Sequence, residues 1–203
     1  MPSPVNICNE ALLSLGAESI ASLTGASKGA RLCNQFYPTS RDELLEMHNW
    51  TFSVKRQELA QVTDVEPLFG YEYTYQLPTD FLLDINLEYK DVKYEIIGEY
   101  LNTDESEVKL FYLAATTATG SYFALFQQAL VERIKSKLAI PLMGHGAKGF
   151  KAAEKAFEMY LYYLGKAQEF DARRGNPELD TEDSWLTAGG FDQTDLTYPD
   201  VER

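Results

Sequence analysis

Cysteine and histidine are scarce in this sequence, whose 203 residues include two of each. Two cysteines cannot build a disulfide scaffold, and a chain of this length buries enough surface to fold without one. Because Cys8, Cys33, His48 and His145 match no short pattern of paired ligands, we expect no structural zinc. Both cysteines fall on apolar positions of helical patterns, which predicts buried, reduced thiols.

Long apolar runs are missing as well. No run approaches the ~20 residues that a membrane-spanning helix needs. The N-terminal sequence Met-Pro-Ser-Pro has neither the basic stretch nor the apolar run of a signal peptide. We therefore expect synthesis in a cytoplasm and no association with a membrane.

Basic residues are few, with 18 Lys and Arg against 31 Asp and Glu, for a net charge of −13. Proteins that grip nucleic acid, or an anionic membrane surface, need clustered Lys and Arg, so both classes are disfavoured. A protein that lets DNA pass without holding it is not excluded. The charge is uneven, since residues 61–120 hold 12 acidic and 3 basic residues and residues 176–203 hold 8 acidic and 1 basic residue.

Residues 1–49 have the periodicity of helices. Ser3 is a good N-cap, and Pro4 suits the first helical turn. A second helix is predicted to begin near Ser27. Pro38 lies inside its pattern and should kink or split it.

Residues 50–120 change to the alternating period of β-strands. Strands are predicted over residues 50–54, 71–77, 81–83, 85–89, 93–97 and 108–112. Turn residues separate them, including a turn over residues 102–105. We expect an antiparallel sheet with several hairpins.

Residues 121–175 return to a helical period. Pro141 should stop the first helix of this segment, and a glycine-rich turn over residues 144–149 should lead into the second. The sequence thus predicts an α+β fold: a mainly α-helical bundle core (1–49 and 121–175), an inserted antiparallel β region (50–120) and an extended acidic C-terminal arm (176–203).

The C-terminal segment, residues 176–203, holds Trp185, Leu186, Phe191 and Tyr198 among its acids, with no helical or strand period. Side chains of this kind anchor interfaces. An acidic segment with spaced apolar anchors is typical of an arm that becomes ordered on a partner, and equally of a strap along its own domain. These four residues are the candidate partner-binding residues.

Motifs for catalysis are weak. Residues 144–149 fit G-x-G-x-x-G, but they follow a helix rather than a strand, which indicates an interhelical turn. Asp80, Asp84 and Asp91 fall at turns or polar strand positions, which is typical of a solvated acidic face. Tyr71, Tyr73 and Tyr75 share a strand face and predict a half-buried sheet surface more than a stacking platform. We expect no enzyme, no cofactor and no metal.

Apolar and special residues recur in a distinctive order along most of the chain. The series is Ile7-x-Asn9-x-Ala11-Leu12-x-x-Leu15-Gly16-Ala17, Ile20-x-Ser22-Leu23, Ala30-x-x-Cys33, Phe36-Tyr37-Pro38, Arg41-Asp42-x-Leu44-Leu45, His48-x-Trp50-x-Phe52 and Tyr75-Gln76-Leu77-Pro78-x-Asp80. It resembles the tail tubular protein A family, the portal-to-tail adaptors of short-tailed bacteriophages. It is also similar to related head–tail connector proteins of other tailed phages. One departure is Thr24-Gly25, where the family pattern leads us to expect an acidic residue.

The resemblance implies a helical core with an inserted β region, locked together by Trp50 and Phe52. It also implies a structural virion protein at the head–tail junction, made in the host cytoplasm. Such proteins form a ring, of twelve subunits in this family, that joins the portal protein to the tail nozzle protein. Genome DNA crosses the ring without specific binding, and the C-terminal arm would clasp the portal or the neighbouring adaptor. The family supplies no catalytic residue.

Two other functions stay open at this point. An acidic regulator could occupy a basic, nucleic-acid-binding partner by mimicking DNA charge. A virion-associated hydrolase, the less favoured alternative, would use two of the plentiful carboxylates. Assembly on portal rings favours the adaptor, a one-to-one complex with a basic host protein favours the regulator, and activity abolished at one carboxylate favours the hydrolase.

We predict that millimolar ATP, Zn²⁺ or Mg²⁺ leaves the melting temperature of the protein unchanged, because no motif in the sequence has the spacing that binds them. A ligand that binds only the folded state raises that temperature with its concentration. Thermal unfolding monitored by circular dichroism measures the effect. A dose-dependent rise with any of the three ligands would contradict the interpretation of residues 144–149 or of the carboxylates.

Overall fold

The computed structural model of the protein describes residues 3–65, 67, 70–88 and 92–174. The described chain is α+β, as predicted. The four predicted anchors, from Trp185 to Tyr198, lie outside the described residues. In chain order, the elements are α1 (Pro4–Ser14), α2 (Lys28–Glu46), β1 (Val54–Glu58), β2 (Tyr73–Gln76), β3 (Phe81–Leu87), β4 (Tyr94–Ile97), β5 (Tyr100–Thr103), β6 (Lys109–Ala114), α3 (Ala124–Met143) and α4 (Ala147–Arg174).

Serine side chains cap α1 and α2; the cap at Ser3 and the start of α2 near Ser27 were predicted. Ser3 Oγ accepts a hydrogen bond from the Asn6 amide, and Ser27 Oγ accepts one from Ala30, both at 3.1 Å. Of the two outcomes predicted at Pro38, a kink or a split, the split does not occur, because α2 continues through the proline. The helix keeps one buried face on both sides of the proline, and the burial of that face outweighs the loss of one backbone hydrogen bond.

The stop predicted at Pro141 is also wrong, since α3 runs on to Met143. Pro141 lies in the last turn of α3, and its carbonyl accepts a hydrogen bond from the Lys28 ammonium. Gly144, with φ of 88°, follows the helix in a conformation that favours glycine. α3 packs against α1, α2 and α4, so it is central to the helical part.

The strands form two three-stranded antiparallel sheets rather than one. Their orders are β1-β6-β3 and β2-β5-β4. The sequence did not predict β5, because polar residues at its end favour a turn. In the structure, Gly98 (φ 61°) and Glu99 connect β4 to β5 as a tight hairpin in which Ile97 pairs with Tyr100.

The strand predicted from Trp50 is displaced. Residues 51–53 form a turn, and β1 begins at Val54. The amides of Ser53 and Val54 both donate to the Trp50 carbonyl, at 2.8 and 3.1 Å. With this turn, Trp50 and Phe52 both pack with the helical core. An extended strand would also put both side chains on one face, and that face would then have to point toward the helices.

Buried apolar residues form two clusters. The helical core joins α1, α2, α3 and α4 around Leu12, Leu44 and Phe126. The sheet core lies around Tyr75, Leu101 and Leu110. Cys8 and Cys33 are fully buried in the helical core as free thiols, as predicted. A hydrogen bond with Cys33, together with burial, raises the pKa of the Cys8 thiol, so that thiol stays protonated at neutral pH.

Gly149 permits the close approach of α4 to the turn that precedes it. A Cβ added there would clash with the Gly144 carbonyl oxygen, whereas a Cβ at Gly165 would meet nothing within 4 Å. We predict that Gly149→Ala destabilises the protein by about 1–3 kcal/mol, as overpacking does. Gly165→Ala should stabilise it by about 0.5–1 kcal/mol through helix propensity. Urea unfolding measures both, and equal stability of the two variants would contradict the packing described here.

Candidate functional site

A buried carboxylate ties the last turn of α4 to the turn before β1. Asp171 is 1% exposed. Its Oδ2 accepts a hydrogen bond from the Thr51 amide at 2.9 Å, and its Oδ1 accepts one from the Thr51 hydroxyl at 2.7 Å. His48 Nε2 lies 3.4 Å from Oδ2. We call residues 48–53 together with Asp171 the helix–sheet junction.

Trp50 is the aromatic centre of this junction, and it is fully buried, as predicted. Its indole Nε1–H donates to the Leu44 carbonyl at 2.8 Å. The Phe126 ring meets it edge-on at 5.0 Å, and the Phe52 ring stacks at 6.1 Å. Every polar and apolar part of the side chain is therefore used, and its position relative to α2 and α3 is fixed.

The junction continues directly into the sheets. Ser53 Oγ donates to the Ala114 carbonyl, and the Ala114 amide donates to the Ser53 carbonyl at 3.0 Å. The chain thus enters the β region beside the point where it leaves it. The Thr116 hydroxyl lies 3.0 Å from Ser53 Oγ and extends the same network.

A groove of about 510 Å³ is lined by residues of both sheets. In its wall, Asp80 accepts hydrogen bonds from the Lys55 ammonium and, at 3.0 Å, from the Tyr112 hydroxyl. Partial burial raises the pKa of Asp80, but these two donors outweigh it and hold the pKa below its usual value. Burial and the bond to Asp80 raise the pKa of Tyr112 to about 12. At neutral pH the carboxylate is charged and the phenol neutral, so the three groups satisfy one another.

Of the other two carboxylates singled out in the sequence, one lies within the described residues. Asp84 accepts a hydrogen bond from the Tyr94 hydroxyl at 2.7 Å, so Asp80 and Asp84 hold strands rather than only facing solvent. Asp91 lies outside the described residues. Of the tyrosine stripe, Tyr75 is buried and donates to the Glu105 carbonyl at 2.7 Å, and Tyr73 is partly buried, which fits a sheet surface.

The glycine-rich motif joins α3 to α4, as predicted: residues 144–146 form the turn, residues 147–149 are the first residues of α4, and a helix rather than a strand comes directly before the motif. The two histidines lie in separate places, His48 at the helix–sheet junction and His145 in this exposed turn. In the part of the chain that the structure describes, no group of three or more His, Cys, Asp or Glu side chains is arranged to hold a metal ion. Among the described helices, none has the length and apolar character to cross a bilayer.

Sequence reasoning missed Asp171, although a signal for it exists. Ala156, Tyr160 and Ala167 are buried on one face of α4, and helical spacing places residue 171 on the same face. An acid on an apolar face near a helix C-terminus is unfavourable for the helix dipole. Its presence indicates a buried partner elsewhere in the chain, which is Thr51.

Asn9 forms a second fixed point that the sequence did not explain. Its side-chain amide donates to the Ile20 carbonyl at 2.9 Å and accepts from the Ile20 amide at 2.7 Å. This pair fastens the loop after α1 onto the helix. At the departure from the family pattern, the Thr24 amide donates to Ser22 Oγ at 3.1 Å, so the loop closes without an acidic residue.

No protein-family model matches the chain, and no curated protein is significantly similar to it. The geometry is therefore the main guide to what these residues do. At the helix–sheet junction and at Asn9, the polar side chains satisfy buried backbone groups, which is a framework role.

We predict that Asp171→Asn destabilises the protein by about 1–3 kcal/mol, because an amide NH₂ would face a donor of Thr51. Thr51→Val should destabilise less, because the backbone amide still donates to Asp171. Urea unfolding of both variants and of the double variant measures their coupling, which we expect to be favourable. Glu169→Gln, on the exposed side of the same turn, is the matched control and should leave the melting temperature unchanged. Additive effects at residues 51 and 171 would contradict the junction.

Proposed function

We propose that this protein is a structural component of a phage virion, a portal-to-tail adaptor that assembles as a ring and takes no part in catalysis. One observation carries the proposal: residues that form the family resemblance make hydrogen bonds that hold parts of the fold together. Asn9 fastens a loop, Trp50 centres the helix–sheet junction, and Asp80 joins Lys55 to Tyr112. These residues of the resemblance hold parts of the fold together and form no active site, which supports a structural role.

The proposal includes the finer architecture. Three helices pack around α3, which supports a helical bundle core formed by residues 1–49 and 121–175. The strands lie between Val54 and Ala114, which supports an inserted β region. Residues 176–203 would form the arm, with Trp185, Leu186, Phe191 and Tyr198 seated on the portal or on the neighbouring adaptor.

Charge supports the passage of DNA through the proposed ring. The chain carries −13, and residues 61–120 supply most of this excess with 12 acidic and 3 basic residues. Acidic walls repel phosphates, so DNA crosses without being held. The same charge would serve a DNA mimic, but such a regulator needs a basic host partner in place of a portal ring.

The direct test is mass photometry of the protein, alone and mixed with portal rings and with tail nozzle protein. The adaptor proposal predicts a complex with a ring of subunits on each portal. A protein that stays monomeric with both phage components, yet binds a basic host protein one to one, would overturn it in favour of the regulator.

We predict that truncation after Gly175 preserves the helical circular dichroism signal and weakens binding to portal rings severalfold or more. Each arm contributes modestly, since its ordering opposes binding, and repetition around a ring multiplies the effect. A full-length variant with Trp185, Phe191 and Tyr198 changed to Ala is the matched control for chain length and should behave like the truncation. Unchanged assembly would show that the arm is not the clasp.

A further inference from the structure

In the part of the chain that the structure describes, β1 pairs along one edge only, with β6. Directly after β1, the Leu59 amide donates to the Val108 carbonyl at 2.8 Å, in the same register as the strands. Hydrogen-bonded residues alternate along an antiparallel pair, so the odd-numbered residues of β1 point their backbone groups at β6. The amides and carbonyls of Arg56 and Glu58 therefore point to the opposite edge, where both residues are exposed.

The same edge of the chain is paired a few residues later. The Val62 amide donates to the Thr74 carbonyl at 2.8 Å, and the Gln76 amide donates to the Ala60 carbonyl at 3.2 Å. β2 thus pairs antiparallel with this later stretch. The chain then turns away, because Pro78 has no N–H and its carbonyl closes a turn with the amide three residues on, at 3.0 Å. Pairing with β2 therefore ends before it reaches β1.

The groove described above lies where a longer β2 would lie. Its walls include residues 55–57 of β1 on one side and residues 76–80 on the other. Its volume of about 510 Å³ is typical of binding sites. Within the described residues, no hydrogen bond reaches the backbone groups of Arg56 or Glu58. Two donors and two acceptors are therefore open to a ligand that has backbone groups of its own.

The cationic side chains of β1 leave this edge clear. Charged side chains are a common means of keeping an edge strand from pairing. Here, however, the Lys55 ammonium is bound to Asp80, and the Arg56 guanidinium lies over the Phe111 ring, 4.6 Å from its centre. No described carboxylate pairs with Arg56. Arg56 is thus a stacked cation that can still accept an acidic partner.

We propose that the open edge of β1 binds an extended peptide segment of a partner protein, which pairs antiparallel with β1 and carries an acidic residue opposite Arg56. The backbone groups of Arg56 and Glu58 supply the hydrogen bonds, and the ion pair supplies selectivity. Side chains alternate along a strand, so the next peptide residue faces the groove, whose wall includes Leu77 and Pro78, and is apolar. This binding does not require the adaptor function.

The probe is the peptide acetyl-Lys-Val-Glu-Val-Thr-amide, with its glutamate placed opposite Arg56. Amide hydrogen exchange of the full-length protein, followed by NMR, measures the edge directly. In the free protein we expect the Arg56 and Glu58 amides to exchange severalfold faster than the Gln57 amide, which is bonded to β6. Saturating peptide should slow both by about tenfold or more, because each amide gains an acceptor.

Two methylated peptides distinguish strand pairing from simple ionic attraction. Methylation of the glutamate nitrogen removes the donor aimed at the Arg56 carbonyl and should weaken binding by about tenfold or more. Methylation of the second valine nitrogen, which points away from β1, is the matched control and should change binding by less than about threefold. Fluorescence anisotropy of labelled peptides measures the affinities.

A charge exchange tests the residue opposite Arg56. Arg56→Glu should weaken binding of the glutamate peptide severalfold and strengthen binding of a peptide with lysine in place of glutamate. Arg31→Glu, at an exposed arginine on α2, makes the same change of charge away from the groove and should alter neither affinity. Circular dichroism verifies that both variants are folded.

Four results would overturn the proposal. The first is an Arg56 amide that is already protected in the free protein, and the second is no binding of the glutamate peptide at millimolar concentration. The third is an equal loss of affinity with either methylated peptide, and the fourth is a peptide preference that Arg56→Glu leaves unchanged. None of these measurements involves portal rings, so this proposal and the adaptor function fail separately.

Discussion

The structure depends on a carboxylate placed where the helix that carries it gains nothing from the charge. Asp171 stands in the last turn of α4, next to carbonyl groups whose dipole repels it. It is retained because it receives the amide and hydroxyl of Thr51, 120 residues earlier in the chain. Because Thr51 is held in place, so is the turn that follows the buried Trp50 and precedes β1. The Asp171 carboxylate thus helps to position the start of the β region on the helices.

The sequence predicted what local rules control. Capping serines, apolar periodicity and proline-free alternation identified α1, α2 and most strands. The predictions from the sequence failed where contacts between residues far apart in the chain determine the local structure. Trp50 looks like the start of a strand because Phe52 alternates with it, but the turn is held from α4, which no local window contains. Pro38 is a strong helix breaker locally, and the face that α2 buries on both sides of it overrides that tendency. The candidate site followed the same division: burial of Trp50 was predictable, whereas the hydrogen bonds between Thr51 and Asp171 were not.

Charge is distributed unevenly between the β region and the last two helices. The β region holds most of the negative excess, whereas α3 and α4 are on balance basic. Within the chain, the net charges of these two parts are therefore opposite in sign. Phe150, Phe157 and Leu161 add exposed apolar area on α4.

The hydrogen bonds between Ser53 and Ala114 bring the two ends of the β region side by side. The β region therefore enters and leaves the helical part at one place, regardless of the structure of the strands beyond it. We expect insertions or deletions within residues 54–113 to leave the spacing of α2 and α3 unchanged, because the hydrogen bonds between Ser53 and Ala114 already hold the two ends of this segment together. The β region is in this sense a closed unit attached at a single place, and changes within it need not disturb the helices that carry it.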